Sequence, residues 1–385
     1  MVKGSNGGDI NDTFKISEAK GPLPLLLFND YLKKNAEAVE KNVEALMDYL
    51  AYLQVFERTH IEKPEPAWTT GNSVMLDLST LKLRDFSKEG DGIYTLIVPP
   101  YAGHTSTIVD FSPKQSLVEK LLGSGIEKVC SIDWKSATRE MRYYDIDTYL
   151  GELNTCVDEL GGRVNLAGMC QGGWLAAMYT ARFPDKVNTL VLGAAPVDTG
   201  SGNGTIMKYA RRLPMGFFEG LVEIGGGVLK GDFMLDGFKS LHPDDQYFGK
   251  FVALYKRIGD PAYVRRFETF ERWYEYTIDL PGRWYLQVVK ELFKENRFFK
   301  GEFMGLGKKL DLGNIKCPVY LLAGEKDDIT PKEQVFNAEI RLGTEKSEIV
   351  KDTANGGHIG LFMGAIPLRD NWPRIIEWIK AHPAG

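Results

Sequence analysis

The chain has 385 residues, 43% hydrophobic and 26% charged, enough apolar material for a substantial core. Its net charge of -5 and pI near 5.7 argue against nucleic acid or an anionic membrane surface as partner. The four cysteines, Cys130, Cys156, Cys170 and Cys317, form no CxxC pair and no metal-like spacing. Free thiols in a reducing compartment are therefore expected, with no metal and no cofactor.

Residues 1–8 are polar and glycine-rich and read as irregular. The apolar cluster at 23–28 is too short and too late for a signal peptide, and no run approaches bilayer-spanning length. A soluble, cytoplasmic protein is expected. Over 29–56, Val39, Val43, Leu46, Met47, Leu50 and Leu53 recur at helical spacing and predict one long amphipathic helix. Residues 73–86 alternate as one or two strands, and 92–98 is a buried strand stopped by Pro99-Pro100. A helix at 116–122 and a strand at 128–134 follow. Next comes a helix with Tyr149, Leu153, Cys156, Val157 and Leu160 on one face, then the apolar run 164–169. A further helix and a strand at 187–192 continue the alternation, which implies a parallel sheet with helices on both sides.

From about 200 to 309 the alternation stops. Glycine-rich pieces border aromatic helical stretches, among them Tyr247, Trp273, Trp284 and Phe303, and read as an inserted helical cap. The glycine runs lack the strand-and-helix setting of a dinucleotide loop. The sheet resumes at 317–324, a last strand falls at 347–350, and a helix at 372–381 closes the chain. The predicted organisation is a tail and long helix over 1–70, core over 71–199, cap over 200–310 and core over 311–385.

The chemistry centres on Gly168-Met169-Cys170-Gln171-Gly172-Gly173, between an apolar run and a helix. That is the layout of a nucleophile elbow, where glycines at 168 and 172 relieve crowding around one strained residue. Cysteine stands where serine is usual. A thiol is mostly protonated at neutral pH and needs a nearby base to attack. His358, on the glycine-flanked loop Gly356-Gly357-His358, supplies one. An acid should orient that imidazole; Asp327 is favoured by its spacing to Ile329-Thr330-Pro331, with Asp328 the alternative. Each residue alone is commonplace: a buried thiol, a loop histidine, a turn acid. Nucleophile, acid and histidine in this order on these elements make the α/β-hydrolase sequence of parts. The backbone N–H of Gln171 and one from Tyr101 or Ala102 are the expected oxyanion donors. His104, Trp174 and Trp284 are expected to face the substrate, with some cap aromatics lining an apolar channel to Cys170.

From about residue 99 to 364, the chain resembles the polyhydroxyalkanoate synthases and the related intracellular polyhydroxybutyrate depolymerases. Gly168-Met169-Cys170-Gln171-Gly172-Gly173 and Gly356-Gly357-His358-Ile359-Gly360 are similar to synthase segments; Ile132-Asp133-Trp134 is similar to both groups. Ala102-Gly103-His104-Thr105-Ser106-Thr107, Trp284-Tyr285-Leu286-Gln287-Val288-Val289, Phe299-Lys300-Gly301-Glu302 and Gly324-Glu325-Lys326-Asp327-Asp328-Ile329 resemble depolymerase segments. Gly172-Gly173 departs from the depolymerase pattern, which has proline and a small residue there.

The resemblance implies an α/β-hydrolase fold, mostly parallel with an inserted helical cap, and a Cys-Asp-His triad. It also implies a polyhydroxyalkanoate polymer or 3-hydroxyacyl-CoA as substrate, a homodimer as assembly and polymer granules as a location. Because the loop and cap matches outnumber the elbow mismatch, the reading leans to a depolymerase-like ester hydrolase. The alternative is synthase-type acyl transfer, supported by easy exchange between a cysteine acyl-enzyme and CoA thioesters. A third reading is a catalytically idle granule-binding protein that keeps the fold for its aromatic cap.

Overall fold

The computed structural model describes residues 43–383, so the expected helix before residue 43 lies outside the described residues. Its remainder is α1 (Val43–Phe56), followed by a wider helical turn at Glu57–Ile61. Two compact units are distinguished. One joins 43–61 with Lys239–Glu268, and the other joins Glu62–Phe238 with 269–383. In the first unit Tyr52, Val55 and Phe56 of α1 pack with Phe251 and Leu254 in a small core of its own, with Leu53 partly buried against it, whereas Leu46, Met47 and Leu50 of the predicted stripe are exposed.

The second unit contains an eight-stranded sheet. Its strands are β1 (Ser73–Asp77), β2 (Leu81–Asp85), β3 (Thr95–Val98), β4 (Val129–Trp134), β5 (Val164–Met169), β6 (Val187–Gly193), β7 (Val319–Gly324) and β8 (Ile349–Ala354). Their spatial order is β1-β2-β4-β3-β5-β6-β7-β8. β1 and β2 pair antiparallel, as do β2 and β4, and every other neighbour pair is parallel. This is the expected α/β-hydrolase fold. The single alternating stretch 73–86 is two strands joined by a tight turn.

The central strands β3, β5, β6 and β7 are buried along their whole length, which is why they read as near-continuous apolar runs. β8 differs from expectation. It runs Ile349–Ala354 rather than 347–350, because as an edge strand it exposes Lys351 and Thr353, and this alternation conceals its second half in the sequence.

The helices flanking the sheet include α2 (Leu117–Gly123), α3 (Ile146–Glu159) and α4 (Gln171–Arg182). Ser116 caps α2 by accepting the Glu119 N–H at 2.8 Å, and Asp145 caps α3 by accepting that of Thr148 at 3.3 Å. The predicted face of α3, Tyr149, Leu153, Cys156, Val157 and Leu160, is buried against the sheet. Within this unit the insertion contributes short helices, including α5 (Gly282–Gln287), and the chain closes with α6 (Trp372–Lys380). Parallel pairing sets Val98 beside Gly168, Gly168 beside Leu192 and Gly324 beside Ala354, so the carboxyl ends of β3, β5, β6, β7 and β8 form one edge. No helix among the described residues is long and apolar enough to cross a membrane.

Candidate active site

Cys170 sits alone between the end of β5 and the start of α4, at φ 51° and ψ -119°. Such a conformation costs an L-residue on the order of 1–3 kcal/mol and persists only where the surroundings over-determine it. Here the Cys170 N–H donates to the Gly193 carbonyl at 2.8 Å, and the Cys170 carbonyl accepts the Gly173 N–H at 2.9 Å. Sterics do the rest. A Cβ at Gly168 would lie 2.6 Å from the Gly172 carbonyl oxygen, and one at Gly172 only 2.1 Å from that of Val98. The elbow therefore closes only on glycine at both positions, and it leaves the Cys170 side chain 8% exposed at the sheet edge.

Asp327 follows β7 and His358 follows β8, so adjacent parallel strands deliver them to the same edge. His358 Nδ1 lies 2.8 Å from Asp327 Oδ2, both side chains buried. The other carboxylate oxygen, Oδ1, accepts the backbone N–H groups of Ile329 at 3.0 Å and Thr330 at 2.8 Å. Since a carboxylate only accepts, Nδ1 carries the proton and Nε2 is the nitrogen left for another partner. Asp328, the alternative acid, has an exposed side chain, and its carbonyl accepts the Thr205 N–H at 3.0 Å.

Burial by itself pulls the His358 pKa down. The charge of Cys170, the charge and hydrogen bond of Asp327, and a hydrogen bond with Cys170 together outweigh it and raise the value well above the ordinary histidine range. The imidazolium form is thus favoured beside a sulfur that can carry negative charge.

The Gln171 N–H opens α4 and has no intrahelical acceptor. Tyr101 and Ala102, on the loop after β3, are buried. That loop is held from several sides. Trp134 Nε1 donates to the Pro99 carbonyl at 2.9 Å, Tyr149 donates its hydroxyl proton to the Tyr101 hydroxyl at 2.9 Å, and the Ile278 N–H donates to the Gly103 carbonyl at 2.9 Å.

The three residues expected to face substrate are packed in protein. His104 stacks on Trp273 at 4.8 Å and Tyr274 at 5.4 Å, and its Nε2 lies 3.1 Å from the Tyr274 carbonyl oxygen. Trp174 and Trp284 are 1% and 2% exposed and lie ring to ring, 6.0 Å between centroids. Sequence reasoning did not single out Tyr149, whose place on the apolar face of α3 reads as core. The available signal was its hydroxyl, since a buried tyrosine requires a partner.

Residues 96–370 match the family described as a protein of unknown function, DUF3141. A poly(3-hydroxyalkanoate) polymerase subunit PhaC from Synechocystis is 31% identical over 301 residues, covering 75% of this chain and 76% of its own. That of Haloarcula marismortui is 28% identical over 367 residues, covering 90% and 75%. That of Haloferax mediterranei is 29% identical over 292 residues, and the match spans 57% of its length. A monoacylglycerol lipase from Paleococcus ferrophilus is 18% identical, with a TM-score of 0.48 over 79% of this chain and 100% of its own. The three PhaC relatives carry the polymerase name, and so favour the acyl-transfer alternative over the depolymerase reading.

Proposed function

Because the chain belongs to the poly(3-hydroxyalkanoate) polymerase PhaC family and to DUF3141, we propose that it is an acyltransferase that draws 3-hydroxyacyl groups from CoA thioesters onto Cys170. The observation that carries this reading is a strained elbow cysteine coupled to a histidine whose far nitrogen is bound to a buried carboxylate. His358 Nε2 takes the proton from Cys170 Sγ, and the thiolate attacks the thioester carbonyl carbon. The Gln171 N–H and one from the Tyr101–Ala102 segment hold the resulting oxyanion, each donor worth about 3 kcal/mol in the transition state. Collapse of the intermediate breaks the carbon–sulfur bond to CoA, whose sulfur takes the proton from His358 as it leaves. The hydroxyl of a second 3-hydroxyacyl unit then attacks the acyl-cysteine. His358 accepts that hydroxyl proton and returns it to Sγ as the new ester departs.

Thioester exchange at cysteine is nearly thermoneutral. Forming the same acyl-enzyme from an oxoester is uphill, because an alkoxide is the poorer leaving group.

The test is CoA release from 3-hydroxybutyryl-CoA by the purified protein, run beside monomer release from amorphous polyhydroxybutyrate granules. CoA release with polymer formation is expected. Monomer release without CoA turnover would overturn the assignment in favour of ester hydrolysis.

A further inference from the structure

The two expected sources of oxyanion donors, Tyr101–Ala102 and Gln171, belong to segments about seventy residues apart in the chain. One side chain from the insertion reaches the supports of both. The Trp284 ring lies 5.0 Å from that of Tyr101, edge to face, and 6.0 Å from that of Trp174 on the first turn of α4. It also lies 5.8 Å from Tyr149, the residue that donates to the Tyr101 hydroxyl. α5, which carries Trp284, is itself anchored. The Gly282 N–H donates to the Gly227 carbonyl at 3.1 Å, and Gln287 Oε1 accepts the Ile146 N–H at the start of α3 at 3.1 Å. Trp284 Nε1 is buried with no hydrogen-bond partner among the described residues, so the residue acts here through the volume of its ring.

Resting on the acyl-transfer reading of Cys170, we propose that Trp284 is a positioning residue: wedged between Tyr101 and Trp174, it sets the distance between the two halves of the oxyanion hole. Interiors are close-packed, so removing this ring lets the loop after β3 and the start of α4 settle independently. A donor displaced by about 1 Å costs on the order of 100-fold in rate. The catalytic pair stands apart from this wedge, since Asp327 and His358 come from the far side of the sheet order, on the loops after β7 and β8.

The experiment compares two reactions of Cys170 in Trp284→Ala and Trp284→Phe. CoA release from 3-hydroxybutyryl-CoA passes through an oxyanion. Alkylation by iodoacetamide displaces iodide from a saturated carbon and forms none. In Trp284→Ala, kcat should fall about 100-fold with KM unchanged, while the alkylation rate stays at the wild-type value. Trp284→Phe, which keeps a ring, should recover most of the loss. An unchanged kcat in Trp284→Ala overturns the proposal, and so does an alkylation rate that falls in step with kcat, which would mark general collapse of the elbow. If Trp284→Ala does not fold, Trp284→Leu carries the same comparison. Should the wild type release no CoA, the acyl-transfer reading fails. The wedge is then decided with the same variants on hydrolysis of p-nitrophenyl butyrate, whose tetrahedral intermediate needs the same hole.

Discussion

His358 Nδ1 stands 2.8 Å from Asp327 Oδ2, and the other oxygen of that carboxylate is held by two backbone N–H groups of its own loop. The acid is thereby fixed before it meets the imidazole. The imidazole in turn has one nitrogen committed and one available to sulfur.

This arrangement separates two neighbouring acids. Asp327→Asn replaces the acceptor facing Nδ1–H with an amide and should lower kcat by about 10⁴-fold, as loss of the orienting acid does in related triads. Asp328→Asn should leave kcat near wild type, since its exposed side chain is not the one bonded to His358. Steady-state kinetics on the two variants checks this; equal losses would reassign the acid.

The raised His358 pKa depends on Cys170. Cys170→Ala should abolish turnover and move the His358 titration to lower pH, read from its imidazole NMR shifts. A titration unmoved by loss of the sulfur would show that the two groups are not coupled.

The same shift has a consequence for stability. A histidine whose folded pKa is raised contributes stability that is full below its unfolded pKa of about 6.5 and is lost as pH rises through the folded value. The stability advantage of the wild type over His358→Gln should therefore narrow as pH climbs from about 6.5, in denaturant titrations at several pH values. An advantage that widens over that range would contradict the sign of the shift.

The four thiols should differ sharply in reactivity. Burial pushes Cys156 and Cys317 up to about 12 and Cys130 higher still, with the Asp85 charge adding to the last. Cys170 alone among them pairs with an imidazole. Brief treatment with iodoacetamide followed by peptide mapping should find Cys170 labelled first. Even labelling of all four would count against a catalytic thiolate and favour an idle binding protein.

Gly172→Ala tests the elbow itself. The added methyl meets the Val98 and Pro99 carbonyl oxygens at 2.1 and 2.5 Å, and neither backbone group can move aside cheaply. A loss of at least about 1–3 kcal/mol in unfolding free energy is expected, together with loss of activity.

Much of this was legible in residue order. Apolar runs alternating with helical periods announce a parallel sheet, and glycines bracketing Cys170 announce the elbow, because both are local consequences of sterics and periodicity. Asp327 was separable from Asp328 only by a spacing argument until its contact with His358 was seen, 31 residues away in the chain. The second half of β8 was hidden because exposed Lys351 and Thr353 interrupt its apolar signal.

The aromatic residues show where sequence reasoning stops. Their clustering announces an apolar insertion but does not say which rings meet which. Only the tertiary structure decides that Trp284 contacts Tyr101 and Trp174, and that His104, on the loop after β3, stacks on the cap aromatics Trp273 and Tyr274. The physical reason is range. The elbow, caps and strand periods are set by neighbours within a few residues, whereas the loop after β3, Asp327 and His358 are brought together by strand order and side-chain packing across nearly the whole core.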